Sequence, residues 1–347
     1  MEFTLHTDPL RECAKFVGGA VKKKDDPVWG FVGVKASSAG VEFSVGNVDL
    51  MARKITTAAQ VESDGYCAVS VDKFLSISKS VTDGMVEFKA SDTVLQISKG
   101  RSKFKLPLLG GDRKVPFEDT PTEIGSFARA PFLKALAGVK SIVDNDYFPF
   151  AQVSGGVLMA TNNIQAALVY VEHGKEHQQF HVMARAVGEV SSAFANDEAE
   201  VIEASCSDSW LCLQTSTSAY WSRFLGSTMP NVATYWEKEK EAKFSTDAEL
   251  FLESLKRVQA VVGNGAHVTI KLKDNSASLY GIDMTSSEAW DSFECVHEGP
   301  EYQGRFVIDN LMSGLKMFKG EHVDIEAGKS ILFVSGGNSR LAIAGVA

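Results

Sequence analysis

At 347 residues and 44% hydrophobic content, the chain is long enough for two or three packed domains and too apolar for a disordered tail-like protein. Its apolar runs are too short and too often broken by charge to span a bilayer, which takes roughly 20 residues, and Met1-Glu2-Phe3-Thr4 does not open a secretory signal. A net charge of −9 argues at first sight against a nucleic-acid partner, and five scattered cysteines with no Cys-x-x-Cys pair argue against a zinc site or disulfide framework, so a reducing cytoplasm is expected.

In chain order, Phe3–Leu5 reads as a short strand, and Asp8 with Pro9 reads as the cap and first turn of a helix. Leu10, Cys13, Ala14, Val17 and Val21 share one face of that helix. Val32 and Val34, then Val41, Phe43 and Val45, alternate with small or polar residues and predict two strands. Ser70–Val81 predicts a second helix, followed by strands at Met85–Lys89, Val94–Ser98 and Lys103–Leu106 between Asp and Gly turns.

This order then recurs. Helix-like openings follow Phe3, Phe127 and Phe244, and closing strands recur at Lys103–Leu106, Trp221–Leu225 and Ser339–Ile343. The second copy supplies helices at Ala130–Val143 and His181–Phe194, the third at Leu250–Val262 and Val307–Lys319. A repeat of about a third of the chain is far longer than the roughly 20–50 residues of a solenoid unit, so whole small domains are repeated. With linkers at Gly110–Thr122 and Glu237–Lys243, the domains are expected at 1–118, 119–240 and 241–347. The fold class is α+β: three tandem copies, each with two helices packed on a curved antiparallel sheet.

Gly100-Arg101-Ser102-Lys103-Phe104-Lys105-Leu106-Pro107-Leu108-Leu109 resembles the closing strand of the first domain in bacterial sliding clamps, the β subunit of DNA polymerase III. The opening Met1-Glu2-Phe3-Thr4 is similar too, and Ser222–Pro230 resembles the family's second-domain segment, in which a ligand-binding proline follows a Gly-containing turn. The resemblance implies a head-to-tail dimeric ring around duplex DNA, non-enzymatic and without cofactor, that tethers a replicative polymerase and is opened by an ATP-driven clamp loader. On this reading the chain is a processivity factor.

Charge placement gives a separate check. The six helices delimited above carry fourteen Lys and Arg: Arg11, Lys15, Lys22, Lys23, Lys24, Lys73, Lys79, Lys134, Lys140, Arg185, Lys256, Arg257, Lys316 and Lys319. Against them stand five acids (Glu12, Asp72, Glu189, Glu253 and Asp309), an excess of +9 that leaves −18 for the rest of a chain totalling −9. Helices facing one cavity would make it basic inside an acidic body, suited to holding a polyanion without sequence preference. For any single Lys a solvated surface charge is the more ordinary reading.

The resemblance also implies a groove for the short apolar peptides of partners, at Phe148, Thr161, Ile164, Ala166, Pro230, Tyr235, Leu341 and Ile343. Here the chain departs from the family. Thr161-Asn162-Asn163-Ile164-Gln165-Ala166 stands where most members carry a Thr-Asp-Gly-His-Arg-Leu-like stretch, and Ala344-Gly345-Val346-Ala347 replaces a Pro-Met-Arg-Leu ending. A divergent member serving a phage-encoded polymerase fits these changes. The implied subunit interface joins Phe104 and Leu106 of one copy to Val261 and Val262 of the other; core packing is the rival reading for each.

His173, His177 and His181 are spaced four apart, but Gly174 interrupts them, so a solvated loop is expected there and no metal. Phosphate loops, nucleophile elbows and His-Glu-x-x-His pairs do not occur. Two readings stand beside the clamp: an enzyme on a clamp-like scaffold, and a monomeric peptide-binding scaffold that does not encircle DNA.

Overall fold

The computed structural model describes residues 1–21, 30–110, 113–117, 122–143, 146–171, 179–223 and 229–346. The first repeat runs β1 (Glu2–His6), α1 (Thr7–Gly19), β2 (Phe31–Ser37), β3 (Gly40–Gly46), β4 (Leu50–Thr56), β5 (Gln60–Ser63), β6 (Gly65–Ser70), α2 (Val71–Ser80), β7 (Met85–Ala90), β8 (Val94–Lys99) and β9 (Ser102–Pro107). The second runs β10 (Thr122–Ala128), α3 (Arg129–Val143), β11 (Phe150–Ser154), β12 (Val157–Thr161), β13 (Gln165–Tyr170), β14 (Phe180–Met183), α4 (Ala184–Ala193), β15 (Val201–Cys206), β16 (Trp210–Gln214) and β17 (Ser218–Arg223). After a 3₁₀ turn at Val232–Glu237, the third runs β18 (Ala242–Asp247), α5 (Ala248–Val262), β19 (His267–Lys273), β20 (Ser276–Ile282), β21 (Glu288–Glu294), β22 (Val296–Glu298), β23 (Tyr302–Val307), α6 (Ile308–Leu315), β24 (His322–Gly328), β25 (Ile331–Gly336) and β26 (Ser339–Ala344).

The expected α+β repetition is therefore present, with three strands more than expected between α1 and α2. Period-two reading missed β4, β5 and β6 because β4 is buried at most positions and carries Arg53 and Lys54 among its apolar residues. The cap of α1 also differs. His6, not Asp8, accepts the Asp8 amide, and the helix begins at Thr7. In α5 the Asp247 carboxylate accepts from the Glu249 amide at 2.7 Å. That helix ends at Gly263, which adopts φ +81.

The equivalent phenylalanines that open the repeats, Phe3, Phe127 and Phe244, are all fully buried. Each meets another ring: Phe3 stacks on Phe88 at 4.5 Å, Phe127 on Phe132 at 4.7 Å, and Phe244 lies edge-on to Phe251 at 6.3 Å.

The strands pair antiparallel, and the chain divides into two compact units that do not follow the repeats: residues 1–133 with 189–225, and residues 134–188 with 226–347. The first unit holds a five-stranded sheet, β5-β1-β7-β8-β9, and an eight-stranded one, β10-β15-β16-β17-β4-β3-β2-β6. The second holds a nine-stranded sheet, β14-β11-β12-β13-β26-β25-β24-β18-β22, and a four-stranded one, β21-β20-β19-β23. Each larger sheet crosses a repeat boundary, through β17 against β4 and through β13 against β26.

Behind the β17–β4 pairing lies a buried ion pair. The Lys54 ammonium sits 3.4 Å from Asp197, 2.8 Å from the Ser218 hydroxyl and 3.1 Å from Glu12 of α1. Burial opposes ionisation of Asp197, but hydrogen bonds from Ser218 and the Ala199 amide, the charge of Lys54 and the Thr215 hydroxyl hold its carboxyl below the ordinary carboxylate range. A carboxyl pKa lowered by folding stabilises the protein above its unfolded value of about 3.9, and that contribution fades as pH falls through the folded value. Asp197→Asn should therefore cost about 3 kcal/mol at pH 7 by removing the buried partner charge of Lys54 and leaving it only the partly exposed Glu12. Urea denaturation should show the wild-type and variant curves converging below about pH 4.

Candidate nucleic-acid and partner interfaces

In the first unit, α1 and α2 border an open groove of about 840 Å³ with Lys15, Lys79, Ser76 and Asp72 at its rim and Leu75 in its wall. Arg11 reaches across it and donates to the Val81 carbonyl at the C-terminal end of α2. Arg11 thus ties one helix to the other, while Lys15, Lys73 and Lys79 are exposed and form no ion pair with any described residue. Lys22, Lys23 and Lys24 lie outside the described residues.

In the second unit, Lys134 pairs with Glu321 at 2.7 Å. The exposed Lys140 crosses α4 at Gly188, where a Cβ would lie 2.8 Å from the lysine Cε. Arg185 is half-buried. Arg257 is held at 2.7 Å by Asp291, whose carboxylate also accepts from Ser254, whereas Lys256 is exposed. Lys316 opens the 3₁₀ turn after α6, and Lys319 follows that turn. Arg129, absent from the expected set, belongs to the first unit and donates to the carbonyls of Ala199, Phe194 and Ala195.

The observed helix bounds change the charge count. The six α-helices hold ten Lys and Arg against seven acids, because Asp8, Arg129 and Glu249 fall inside α1, α3 and α5, Lys316 and Lys319 follow α6, and Lys22–Lys24 are not among the described residues. Their excess is +3 rather than +9. The helix-associated cations without an ion-pair partner among the described residues include Lys15, Lys73, Lys79, Lys140, Lys256, Lys316 and Lys319.

The residues expected to form a peptide groove all lie in the second unit, yet the structure divides them between two faces of one sheet. Thr161 pairs with Ala166, and Ala166 with Ala342, so these three share a face. On that face Ala166, Ala342, Leu168 and Phe333 form a cluster against which Met229, Tyr235 and Trp236 pack. Leu341 and Ile343 occupy the opposite face, fully buried under α6, where a Cβ on Gly314 would meet them at 2.5 and 3.2 Å. The expected pair was one residue out of register, and a one-residue slip turns a strand's side chains to the other face. Ala342, with Ala344 two residues on, stands on the face of Thr161 and Ala166.

The departure at Asn162-Asn163 makes a tight turn between β12 and β13. The Asn162 side chain accepts from the amides of Ile164 and Gln165, and Asn163 adopts φ +69. Ile164 is thereby exposed at the tip, Pro230 is exposed, and Phe148 and Tyr235 are half-buried. Gln152 supports the segment leading to Pro230 by accepting from the Met229 amide at 3.4 Å. Residues 224–228 lie outside the described residues.

Of the expected subunit contacts, Leu106 and Val262 are buried in their own chain, whereas Phe104 is half-buried and Val261 is 50% exposed. Among the described strands, β9, which carries Phe104, is hydrogen-bonded to β8 alone.

His181 lies on β14 rather than in a helix, buried, with Nε2 3.3 Å from Gln152; His173 and His177 lie outside the described residues. A group sequence reasoning did not single out, His6 between Asp8 and Asp83, is exposed and includes the α1 cap. All five cysteines are free, and burial pushes Cys13, Cys67 and Cys212 up to about 12, far from thiolate chemistry at neutral pH. Among the described residues no helix is long and apolar enough to cross a membrane.

Residues 1–113 match the family model for the DNA polymerase III beta subunit, N-terminal domain. A comparison with curated proteins finds no match. Among solved structures, the chain is similar to the DNA polymerase III subunit beta of Pseudomonas aeruginosa, with a TM-score of 0.88 at 16% identity over 100% of both chains. It is similar to the beta subunit from Thermotoga maritima, with 0.88 at 16% over 100% of this chain and 99% of that one. The sliding clamp of Bacillus subtilis gives 0.86 at 17%, again over 100% and 99%. The first third thus matches the N-terminal domain of the DNA polymerase III beta subunit in sequence, and the whole chain has the fold of the bacterial sliding clamps.

Proposed function

We propose that this chain is a DNA sliding clamp, a non-enzymatic cytoplasmic processivity factor. It closes head to tail with a second copy around duplex DNA and tethers a polymerase through short peptides. The observation that carries this is the match of three tandem repeats, over the full chain, to the fold of the bacterial clamps. The three domains are the repeats themselves, 1–118, 119–240 and 241–347.

Retention on DNA is topological. Leaving requires a subunit junction to open, so contacts to phosphate can be weak and mobile. Lys15, Lys73, Lys79, Lys140 and Lys256 suit such contacts: each is a point charge on a flexible stem with no ion-pair partner among the described residues. The remaining expected cations, Lys22–Lys24 among them, add to the same field. Partner peptides lie beside Thr161, Ala166, Ala342 and Tyr235, with Pro230 and Ile164 at the rim. The junction uses the β9 edge with Phe104, and Val261 on the other copy. An ATP-driven loader opens the ring.

Two outcomes are expected. Protein loaded on a nicked circle should stay bound through gel filtration and be released when the circle is cut. Equal loss from circle and linear DNA would remove the encircling mechanism. Lys15→Glu with Lys79→Glu should leave the mass in solution unchanged but shorten retention on the circle several-fold, more so at low salt, where phosphate contacts are strongest. Retention identical to wild type would show that these lysines do not face the DNA.

A further inference from the structure

Helix α5 ends in Gly263-Asn264-Gly265, a turn that leads through Ala266 into β19. Asn264-Gly265 is the one Asn-Gly dipeptide in the chain. All three residues of the turn are exposed. Both glycines stand at positive φ, +81 and +72, and a Cβ built on either would meet nothing within 4 Å. The backbone on each side of Asn264 can therefore rotate without meeting a side chain. Such a dipeptide has a chemical weakness. The amide nitrogen that follows an asparagine lies within reach of that residue's own side-chain carbonyl carbon, and a glycine leaves this nitrogen unshielded.

A carboxylate is in contact with that nitrogen. Gly265 donates its amide hydrogen to Asp309 Oδ2 at 2.7 Å, and Asp309 Oδ1 accepts from the Gln259 side chain at 2.6 Å. Asp309 lies in the first turn of α6, so a helix and not the turn itself sets its position. Helix and turn are tied together as well, because the Ile308 amide donates to the Ala266 carbonyl at 3.0 Å. On the other side the Gly263 amide donates to the Gln259 carbonyl at 2.8 Å. The end of α5, the turn and the start of α6 thus converge on one peptide group, the one between Asn264 and Gly265.

We propose that Asn264 is a site of spontaneous covalent modification, deamidation through a cyclic imide, with Asp309 as the general base. As Asp309 takes the amide proton, the Gly265 nitrogen attacks Asn264 Cγ. The new C–N bond closes a succinimide ring, the bond from Cγ to the side-chain nitrogen breaks, and ammonia leaves with the proton that Asp309 held. Water then opens the ring. Attack at Cγ gives aspartate, and attack at the backbone carbonyl gives isoaspartate, in which the main chain runs through Cγ. The sum is one water consumed, one ammonia released and one carboxyl gained, with no change of oxidation state. A base and a nucleophile held at hydrogen-bond distance need not find each other by diffusion, which is the source of the rate. The product sets a second carboxylate beside Asp309, and like charges at that distance strain the turn. It also stands three residues after the exposed Val261. On the dimeric reading above, on which this last step rests, Val261 belongs to the subunit junction, so a modified copy closes the ring more weakly.

Prolonged incubation of the full chain in warm neutral buffer, followed by peptide mass spectrometry, tests the site. The peptide that contains Asn264 should gain about 1 Da with time, and an isoaspartyl methyltransferase should label it. Asn264→Gln should stay unchanged, because the longer side chain closes its ring far more slowly. Asp309→Asn keeps an acceptor for the amide but cannot take its proton, and should slow the gain at least about tenfold, with Asp309→Glu restoring part of the rate. The wild type unfolded in urea should also react more slowly than the folded chain, a comparison that needs no variant to fold. A folded wild type that keeps Asn264 intact overturns the site. A rate as high or higher in Asp309→Asn or in urea overturns the general base, since Asp309 would then hold the nitrogen away from attack. Sedimentation equilibrium of Asn264→Asp tests the consequence, where a dissociation constant several-fold above that of the wild type is expected. Equal association overturns the link to the junction and leaves the chemistry standing. A wild type that never dimerises overturns the dimeric reading and that link together, while the mass gain still decides the site.

Discussion

The structure depends on one constraint: the free edge of each repeat must be hydrogen-bonded. A small antiparallel sheet leaves unpaired amides and carbonyls along its outer strands, and a bare edge invites aggregation. The middle repeat solves this by lending strands in both directions. From Ser218 to Ser222, β17 pairs with β4 of the first repeat, and from Gln165 to Val169, β13 pairs with β26 of the third. Compactness therefore follows the shared sheets instead of the sequence repeats, and each packed unit takes half of the middle one. The placement of Lys54 follows from the same constraint. It sits on the strand that receives β17, so forming that sheet buries it, and Asp197 and Ser218 of the second repeat supply its counter-charge and hydroxyl.

Much of this was legible in the sequence where a signal repeated. Phe3, Phe127 and Phe244 mark equivalent buried positions, and one helix follows each. The helix bodies were legible because apolar residues recur at helical spacing. Strand β4 was not, because a buried strand with Arg53 and Lys54 breaks the alternation on which such reading relies. The cap of α1 was missed for a related reason: Asp8 is a stronger capping residue than His6 in general, and only the backbone shows where the turn begins. The charge tally was inflated by helix ends, since Lys316 and Lys319 follow α6, two acids lie just within α1 and α5, and Lys22–Lys24 lie outside the described residues.

The candidate groove shows a different limit. A resemblance transfers positions along the chain, but whether a side chain faces one side of a sheet or the other changes with every residue. Leu341 and Ile343 are the larger and more apolar members of β26, which made them attractive as groove walls. Their size is better explained by the space under α6, where Gly314 leaves room for both. The face that carries Thr161 and Tyr235 is instead floored by Ala166 and Ala342. Small floor residues leave the half-buried Tyr235 and the exposed Ile164 to define what fits, and Ile164 belongs to a segment in which the chain departs from the pattern it resembles. Specificity for partners would then reside in the turn and the 3₁₀ segment while the sheet stays neutral.

Arginine and lysine divide the electrostatic work, and the division bears on sliding. Arg11, Arg113, Arg129 and Arg223 donate to backbone carbonyls, Arg53 lies over the rings of Phe117 and Trp221, and Arg257 is held by Asp291. A planar guanidinium with several fixed donors gains most from such geometry, and gives the most up when moved. On a phosphate it would bind in a definite orientation and resist displacement along the duplex. Lysine makes no such demand: its ammonium is a hydrated point charge that passes from one phosphate to the next with little reorientation. A chain that holds these six arginines in the fold and leaves Lys15, Lys73, Lys79, Lys140 and Lys256 without an ion-pair partner among the described residues keeps a positive field without a fixed grip. On the proposed reading, in which retention comes from closure and not from affinity, that combination is what sliding requires.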